Sequence, residues 1–228
     1  MRFLRAVLLC ILPLLLGPAC RHPRPAPAGP PIQVRISSLP EKARVFRQGK
    51  PFGETPQEAS FASADDLVQL TADLEGAPPV ETRIRFLSTD RAEVLFRFGP
   101  EASPLAKTLG YARVLVFDYG AAVTFEFGKA DIQPGFMPLL ERQAALLKAH
   151  FADQPVVVCG HTDAIGSADF NLSLSLDRAR AVADELKRLG VPGERMSMQG
   201  FGSTYPVAPN DTEEERAQNR RTEVILPL

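Results

Sequence analysis

A short apolar run, followed by a polar turn and a long helical pattern, most constrains how this chain can fold. Residues 155–159 (PVVVC) are apolar and mostly β-branched, which predicts a buried strand. Downstream, apolar residues recur at helical spacing up to Gly190, a residue suited to ending a helix. These residues are Leu172, Leu176, Ala179, Ala183, Leu186 and Leu189. We therefore expect Asp163 just past the carboxyl end of the strand and Arg178 one turn into the helix.

This placement predicts a binding site for a ligand with both charges. Ligands of open α/β sheets usually bind beyond the carboxyl ends of the strands. An anion there would meet free N–H groups of the helix and the guanidinium of Arg178. An ammonium group would meet the carboxylate of Asp163. The alternative is a surface ion pair that only orients the loop.

The flanking segments complete an alternating pattern. Strands are predicted over 113–119, 122–127, 195–199 and 222–226, and helices over 134–151 and 212–221. The resulting order β-α-β-α-β-α-β predicts a two-layer α/β sandwich with right-handed crossovers.

Two long motifs, GHTDAIGSADFNLSLSLDRARAV from Gly160 and GFGSTYPVAPNDTEEERAQNRRTEV at 200–224, carry a family resemblance. They resemble the OmpA-like C-terminal domain shared by OmpA proteins, the lipoprotein Pal and the flagellar stator protein MotB. The resemblance covers roughly residues 112–228. It implies that Asp163 and Arg178 bind the diaminopimelate of peptidoglycan stem peptides without covalent attachment. Glu215 and Thr222 depart from the family pattern, but neither belongs to this pair.

Three further residues are candidates for the same ligand. Asn171 either hydrogen-bonds the ligand or loop, or serves only as a turn or cap residue. Thr162 could offer its hydroxyl or its backbone N–H at the same rim. Arg221 lies in the segment where the family has an Asn-Arg-Arg element. It either reaches the glycan or peptide or, like Arg220, is a solvated charge.

A metal or catalytic site is the competing interpretation of this turn. Cys159 and His161 are two apart on a strand and so face the same way. The sequence has no second His/Cys cluster with metal-ligand spacing and no evident oxyanion device. We therefore predict no metal, no cofactor and no enzymatic activity. His161 is expected to hydrogen-bond within the loop, and Cys159 to be a small core residue.

The first nineteen residues are typical of a secretory signal peptide. Arg2 and Arg5 precede an apolar stretch over 6–16, and small residues at 17–19 precede Cys20. The sequence around Cys20 resembles a bacterial lipobox, which implies acylation there, although Gly17 replaces the usual Leu. Simple secretion and an N-terminal anchor helix are the alternatives. With lipidation, Arg21 in place of Asp implies the outer membrane, facing the periplasm.

The region between this signal and the α/β domain contains a tether and a β-module. Residues 20–31 are rich in proline and predict an extended tether. Residues 32–100 alternate with period two and predict a small all-β domain. They resemble a PEGA domain in Ser38-Leu39-Pro40, Ala43, Val45, Gly49, Gly53, Thr55 and Pro56. This module is expected to be a spacer or to contact a protein partner. Residues 100–110 are predicted to be a linker, and the peptidoglycan-binding domain to cover 109–228.

These observations lead to one main functional hypothesis. A formal net charge of −1 gives no support for binding nucleic acid. The leading hypothesis is a peptidoglycan-binding protein, anchored by lipid on Cys20, that tethers the outer membrane to the wall. The alternative is an adaptor in an envelope protein complex that docks a protein through the β-module. A wall hydrolase is a third possibility, which the missing nucleophile or metal set opposes.

Overall fold

A mixed eight-stranded sheet runs through the computed structural model, which describes residues 30–120, 125 and 128–228. The strands are β1 (Ile32–Leu39), β2 (Arg44–Arg47), β3 (Lys50–Glu54), β4 (Gln57–Phe61), β5 (Leu70–Asp73), β6 (Glu81–Phe86), β7 (Arg91–Arg97), β8 (Val114–Gly120), β9 (Val156–His161), β10 (Met196–Gly200) and β11 (Arg221–Pro227). The large sheet has the order β10-β9-β11-β8-β6-β7-β1-β4, and β3-β2-β5 form a small second sheet.

The helices lie mainly in the C-terminal half. They are α1 (Asp65–Val68), α2 (Pro104–Leu109), α3 (Met137–His150), α4 (Ala168–Arg188) and α5 (Glu213–Asn219). Two 3₁₀ turns cover Pro134–Phe136 and Gly193–Arg195. None of the helices in the described residues is both long and apolar enough to cross a bilayer.

The two predicted regions of the chain share the large sheet. β8, the first strand of the C-terminal region, pairs in parallel with β6 and antiparallel with β11. The pairing runs from Glu81 opposite Val114 to Arg85 opposite Asp118. Backbone pairing therefore joins the N-terminal strands to the α/β part.

The two faces of the sheet differ in what covers them. α3 and α4 pack on one face through apolar side chains, and this helical layer confirms the predicted α/β sandwich. These buried side chains are Leu139, Leu140, Ala144, Leu146, Leu147, Ala179, Val182, Ala183 and Leu186. The other face carries a smaller apolar cluster around α2 and, beside it, a buried group of charged residues. We call these the helix face and the charged face.

The predicted linker over 100–110 is wrong in part, because it contains α2. Ser103 caps this helix by accepting a hydrogen bond from the N–H of Ala106, and Pro104 occupies its first turn. The helix ends at Gly110, whose φ of 77° is left-handed. Leu105 and Ala106 are buried against the charged face, so this segment is packed onto the sheet.

The predicted start of the long helix was also wrong. α4 begins at Ala168 with Ser167 as its cap, so Arg178 lies about three turns into the helix and not one. Leu172 is exposed, because the buried side of the first three turns is polar and consists of Asn171, Ser175 and Arg178. The helix ends as predicted, with Gly190 at a φ of 89° just beyond it.

Several predictions fall on residues outside the described ranges. They concern the signal peptide over 1–19, Cys20, nearly all of the tether over 20–31, and most of the strand over 122–127. Within that last segment, Phe125 is described and forms an isolated bridge with Ile132.

Candidate functional site

The loop that follows β9 is held close to α4 by an unusually tight contact. A Cβ atom on Gly160 would lie 1.9 Å from the backbone carbonyl oxygen of Ser175, so only glycine fits there. The hydroxyl of Ser175 accepts a hydrogen bond from the N–H of Gly202 at 2.9 Å and donates to the carbonyl of Leu172. Strand, helix and the loop after β10 therefore meet at this point.

Asp163 lies at the mouth of this loop and is buried. One carboxylate oxygen, Oδ1, accepts the N–H of Ile165 at 3.0 Å. The other, Oδ2, accepts a hydrogen bond from Nη1 of Arg220 at 2.8 Å. The carboxylate is thus fixed by one backbone donor and one guanidinium.

Arg178 reaches the same region from α4, with only 2% of its surface exposed. Its Nε donates to the carbonyl of Lys129 at 3.0 Å, and its guanidinium carbon lies 5.2 Å from the centroid of the Phe125 ring. Its Nη1 is buried without a hydrogen-bond partner. Burial and the nearby charge of Arg220 lower the pKa of Arg178, and Asp163 acts in the opposite direction.

The alternative interpretation, a direct ion pair between Asp163 and Arg178, does not occur within the described residues. Arg220 occupies Asp163, and its other amino group contacts Glu213 in the first turn of α5. Burial by itself lowers the pKa of Arg220, but the hydrogen bonds to Asp163 and Glu213 outweigh it and raise this pKa above the ordinary value. Arg220 is therefore a member of this site that sequence reasoning treated only as a solvated charge.

Thr162 and Asn171 stabilise the loop. The hydroxyl of Thr162 donates to the carbonyl of Asp163, and its N–H donates to the carbonyl of Gly202. The side chain of Asn171 donates to the carbonyls of Ile165 and Asp163. Both residues are buried and lie beside Asp163, where they shape the backbone around the carboxylate.

Arg221 lies on the charged face of the sheet, away from this group. Its side chain donates a hydrogen bond to Glu223 at 2.8 Å. Arg221 and Glu223 alternate along β11 with Thr222 and Val224, which belong to the helix face. The neighbour of Arg221 in the register is His161, which stacks on Phe201 with ring centroids 5.6 Å apart. The structure therefore separates Arg221 from Asp163 and Arg178.

His161 and Cys159 share the charged face, as their spacing predicted. Burial lowers the pKa of His161 below its ordinary value even though its Nε2 lies 3.3 Å from a carboxylate oxygen of Glu223. The expected hydrogen bonding of His161 within the loop was wrong, because its ring points into the sheet network. Cys159 is a buried core residue, and burial raises the pKa of its thiol. No cluster of potential metal ligands occurs among the residues that the structure describes.

Residues 124–220 match the model of the OmpA family, and the tight strand–loop–helix junction with its buried acid and arginines lies in that segment. Strands β1 to β8 precede the matched segment, and β11 follows it.

Curated relatives match just under half of the chain. The peptidoglycan-binding protein ArfA of Mycobacterium tuberculosis H37Rv is 40% identical over 107 residues, which make up 47% of this chain and 32% of ArfA. The probable lipoprotein YiaD of Escherichia coli K12 is 40% identical over 104 residues, or 46% of this chain and 47% of YiaD. The chain thus spans a third to about half the length of these relatives.

A solved structure is similar over a comparable share of the chain. The peptidoglycan-associated lipoprotein from Burkholderia pseudomallei is 35% identical, with a TM-score of 0.43. The match covers 46% of this chain and 87% of that one.

Proposed function

We propose that this chain binds peptidoglycan non-covalently through Arg178 and Asp163 and acts as a binding protein without catalytic activity. The observation that carries the proposal is the state of Arg178. It is a buried cation with an unpartnered Nη1, and it has no ion-pair partner within the described residues. A buried charge without a partner is costly, so it is usually retained where a ligand supplies the missing anion.

The chemistry of the site suits diaminopimelate. The free end of this diamino acid carries an ammonium group and a carboxylate. The carboxylate would accept from Arg178, whose planar donor geometry matches it. Asp163 would accept from the ammonium, because each carboxylate oxygen can take more than one hydrogen bond. Arg220 keeps the carboxylate in place before the ligand arrives.

The family of the domain supports the same ligand class. ArfA is named a peptidoglycan-binding protein, and it is 40% identical to this chain over 107 residues. The outer-membrane location belongs to this proposal as well, with Cys20 as the lipid anchor and the periplasm as the compartment. A weak site suffices for a tether of this kind, because the wall repeats its ligand and the anchor confines the protein beside it.

Co-sedimentation of the full chain, purified in detergent, with isolated peptidoglycan sacculi tests the proposal. Arg178→Ala and Asp163→Ala should each weaken binding about tenfold to a hundredfold, since a charge-assisted hydrogen bond contributes roughly 1.5–3 kcal/mol. Arg180→Ala is the matched control, because Arg180 is exposed on the same helix and forms an ion pair with exposed Asp177. Free diaminopimelate should compete with the sacculi for the wild-type chain.

Two results would reject the proposal. One is wild-type protein that is folded, by circular dichroism, yet stays in the supernatant. The other is Arg178→Ala that sediments like Arg180→Ala. The first result would favour the adaptor hypothesis, in which the N-terminal strands contact a protein partner. The lipid anchor is tested separately by labelling cells with a radioactive fatty acid, which Cys20→Ser should abolish.

A further inference from the structure

A cavity of about 520 Å³ opens on the charged face, where the N-terminal strands meet the OmpA-family domain. Strands β6 and β7 contribute charged residues, α2 contributes its first turn, and the loop after β10 closes the far wall. The lining residues are Glu81, Arg83, Arg97, Pro104, Leu105, Thr204, Tyr205, Pro206, Val207 and Arg221. This volume lies in the range of small-molecule sites.

The charged lining is positive. Three guanidiniums, those of Arg83, Arg97 and Arg221, face one carboxylate, that of Glu81. Both oxygens of Glu81 are already engaged, Oε1 by Nε of Arg83 at 2.8 Å and Oε2 by the hydroxyl of Ser103 at 2.5 Å. Glu81 therefore has no oxygen left without a donor.

Two of these arginines are held rigidly from behind. Nη1 of Arg83 donates to Asp118 at 3.0 Å and to Glu223 at 2.6 Å. Nε of Arg221 donates to the same oxygen of Glu223. Arg83 and Arg221 are both more than nine-tenths buried, so their positions are fixed before any ligand arrives.

Each guanidinium still has donors to offer. Nη2 of Arg83 and Nη2 of Arg221 make no hydrogen bond within the described residues. Nε of Arg97 is buried without a hydrogen-bond partner and lies 3.9 Å from Glu81. Four arginines, including Arg85, face only three buried carboxylates in this cluster, which are Glu81, Asp118 and Glu223.

The remaining wall is largely apolar. Pro104, Leu105, Tyr205, Pro206 and Val207 line it. The hydroxyl of Tyr205 is engaged with Thr108 at 2.6 Å, which leaves its ring as the contact surface. A smaller neighbouring cavity is lined by three arginines and Glu93, and its volume of about 150 Å³ is below the range of small-molecule sites. The larger cavity therefore combines unfilled guanidinium donors with an apolar wall.

We infer that this cavity is a second binding site, for a small organic carboxylate with an apolar substituent. The carboxylate would accept the free N–H groups of Arg83, Arg97 and Arg221, which suit planar acceptors. The apolar part would pack against Leu105, Tyr205 and Val207. The site lies across the sheet from Asp163 and Arg178, and it requires residues of both sequence regions. It is independent of the proposed wall binding.

Isothermal titration of the full chain in detergent with N-acetylleucine, N-acetylleucinamide, acetate and inorganic phosphate tests this assignment. N-acetylleucine should bind at least tenfold more tightly than each of the other three probes. Arg97→Gln should weaken this binding about tenfold. Arg97 is the arginine to replace, because Arg83 and Arg221 support the folded sheet.

The matched control is Arg35→Gln, which removes the same charge from an exposed position on β1. A second variant, Val207→Trp, should block the cavity while leaving every arginine in place. Equal binding of the acid and the amide would overturn the inference, as would preferential binding of phosphate. So would Arg97→Gln binding like Arg35→Gln, or Val207→Trp binding like wild type.

Discussion

Arg83 and Arg178 are both buried, yet their surroundings differ in kind. Arg83 lies in the middle of the sheet and contacts Glu81, Asp118 and Glu223. Arg178 lies at the end of the sheet, contacts a backbone carbonyl and an aromatic ring, and leaves Nη1 unpartnered. The first arrangement satisfies the charge within the protein. The second leaves the charge itself without an ion pair within the described residues, which is how the two arginines differ although their chemistry is the same.

The largest expected effect is the difference in stability between the methionine variants of these two arginines. Arg83→Met leaves three buried carboxylates short of a partner, so the free energy of unfolding should fall by about 3–5 kcal/mol. Arg178→Met removes a cation that has no ion pair among the residues the structure describes, and it should change that free energy by less than about 1 kcal/mol. Urea unfolding of the two variants and the wild type measures both. Equal losses would mean that the two arginines do not differ as described.

A smaller effect is expected when the helix that carries Arg178 is displaced. In Gly160→Ala the new Cβ would clash with the carbonyl oxygen of Ser175, so α4 must shift. Overpacking of this kind costs about 1–3 kcal/mol. Sedimentation with sacculi should weaken as well, because Arg178 moves with the helix.

Gly135→Ala is the control for this substitution, since a Cβ there has nothing within 4 Å. It should match the wild type in both urea unfolding and sedimentation. Normal wall binding by a destabilised Gly160→Ala would show that the position of Arg178 along α4 does not matter for the ligand.

The smallest effect concerns pH and the charged face. Burial lowers the pKa of His161, so the folded protein keeps this ring neutral at a pH where the unfolded chain takes up a proton. Stability should therefore decrease as pH falls below the ordinary histidine value of 6.5, down to the folded pKa. This contribution is at most about 1.4 kcal/mol per pH unit.

Urea unfolding between pH 5 and 7.5 of the wild type and His161→Gln checks this expectation. The variant should lose less stability over that interval than the wild type. Parallel profiles would mean that His161 does not remain neutral in the folded protein. Wall binding should change little in either case, because His161 points away from Asp163.

The sequence predicted the features that depend on local pattern. The apolar run gave β9, the 3.6-residue spacing gave most of α4, and Gly190 gave its end. The two-residue period placed Cys159 and His161 on one face. Such features follow from side-chain periodicity and backbone geometry, which act over a few residues.

The features that the sequence did not predict depend on distant strand pairing. Nothing in the local pattern indicates that β8 pairs with β6, so the shared sheet was missed. Arg220 was treated as solvated, although it contacts Asp163 from 57 positions away. The sequence did contain a signal for the position of Arg221, because Arg221 and Glu223 alternate with Thr222 and Val224. That alternation already sets Arg221 apart from the helix face.

The order of the strands also bears on how the chain can be made. β11 follows the other described strands in sequence, yet it lies between β9 and β8 in the interior of the sheet. Until it is in place, both neighbours keep an unpaired edge of the kind that promotes association between chains. A chain that stops after Arg220 would therefore lose the join between two halves of its sheet, and β11 must be synthesised before this sheet can close.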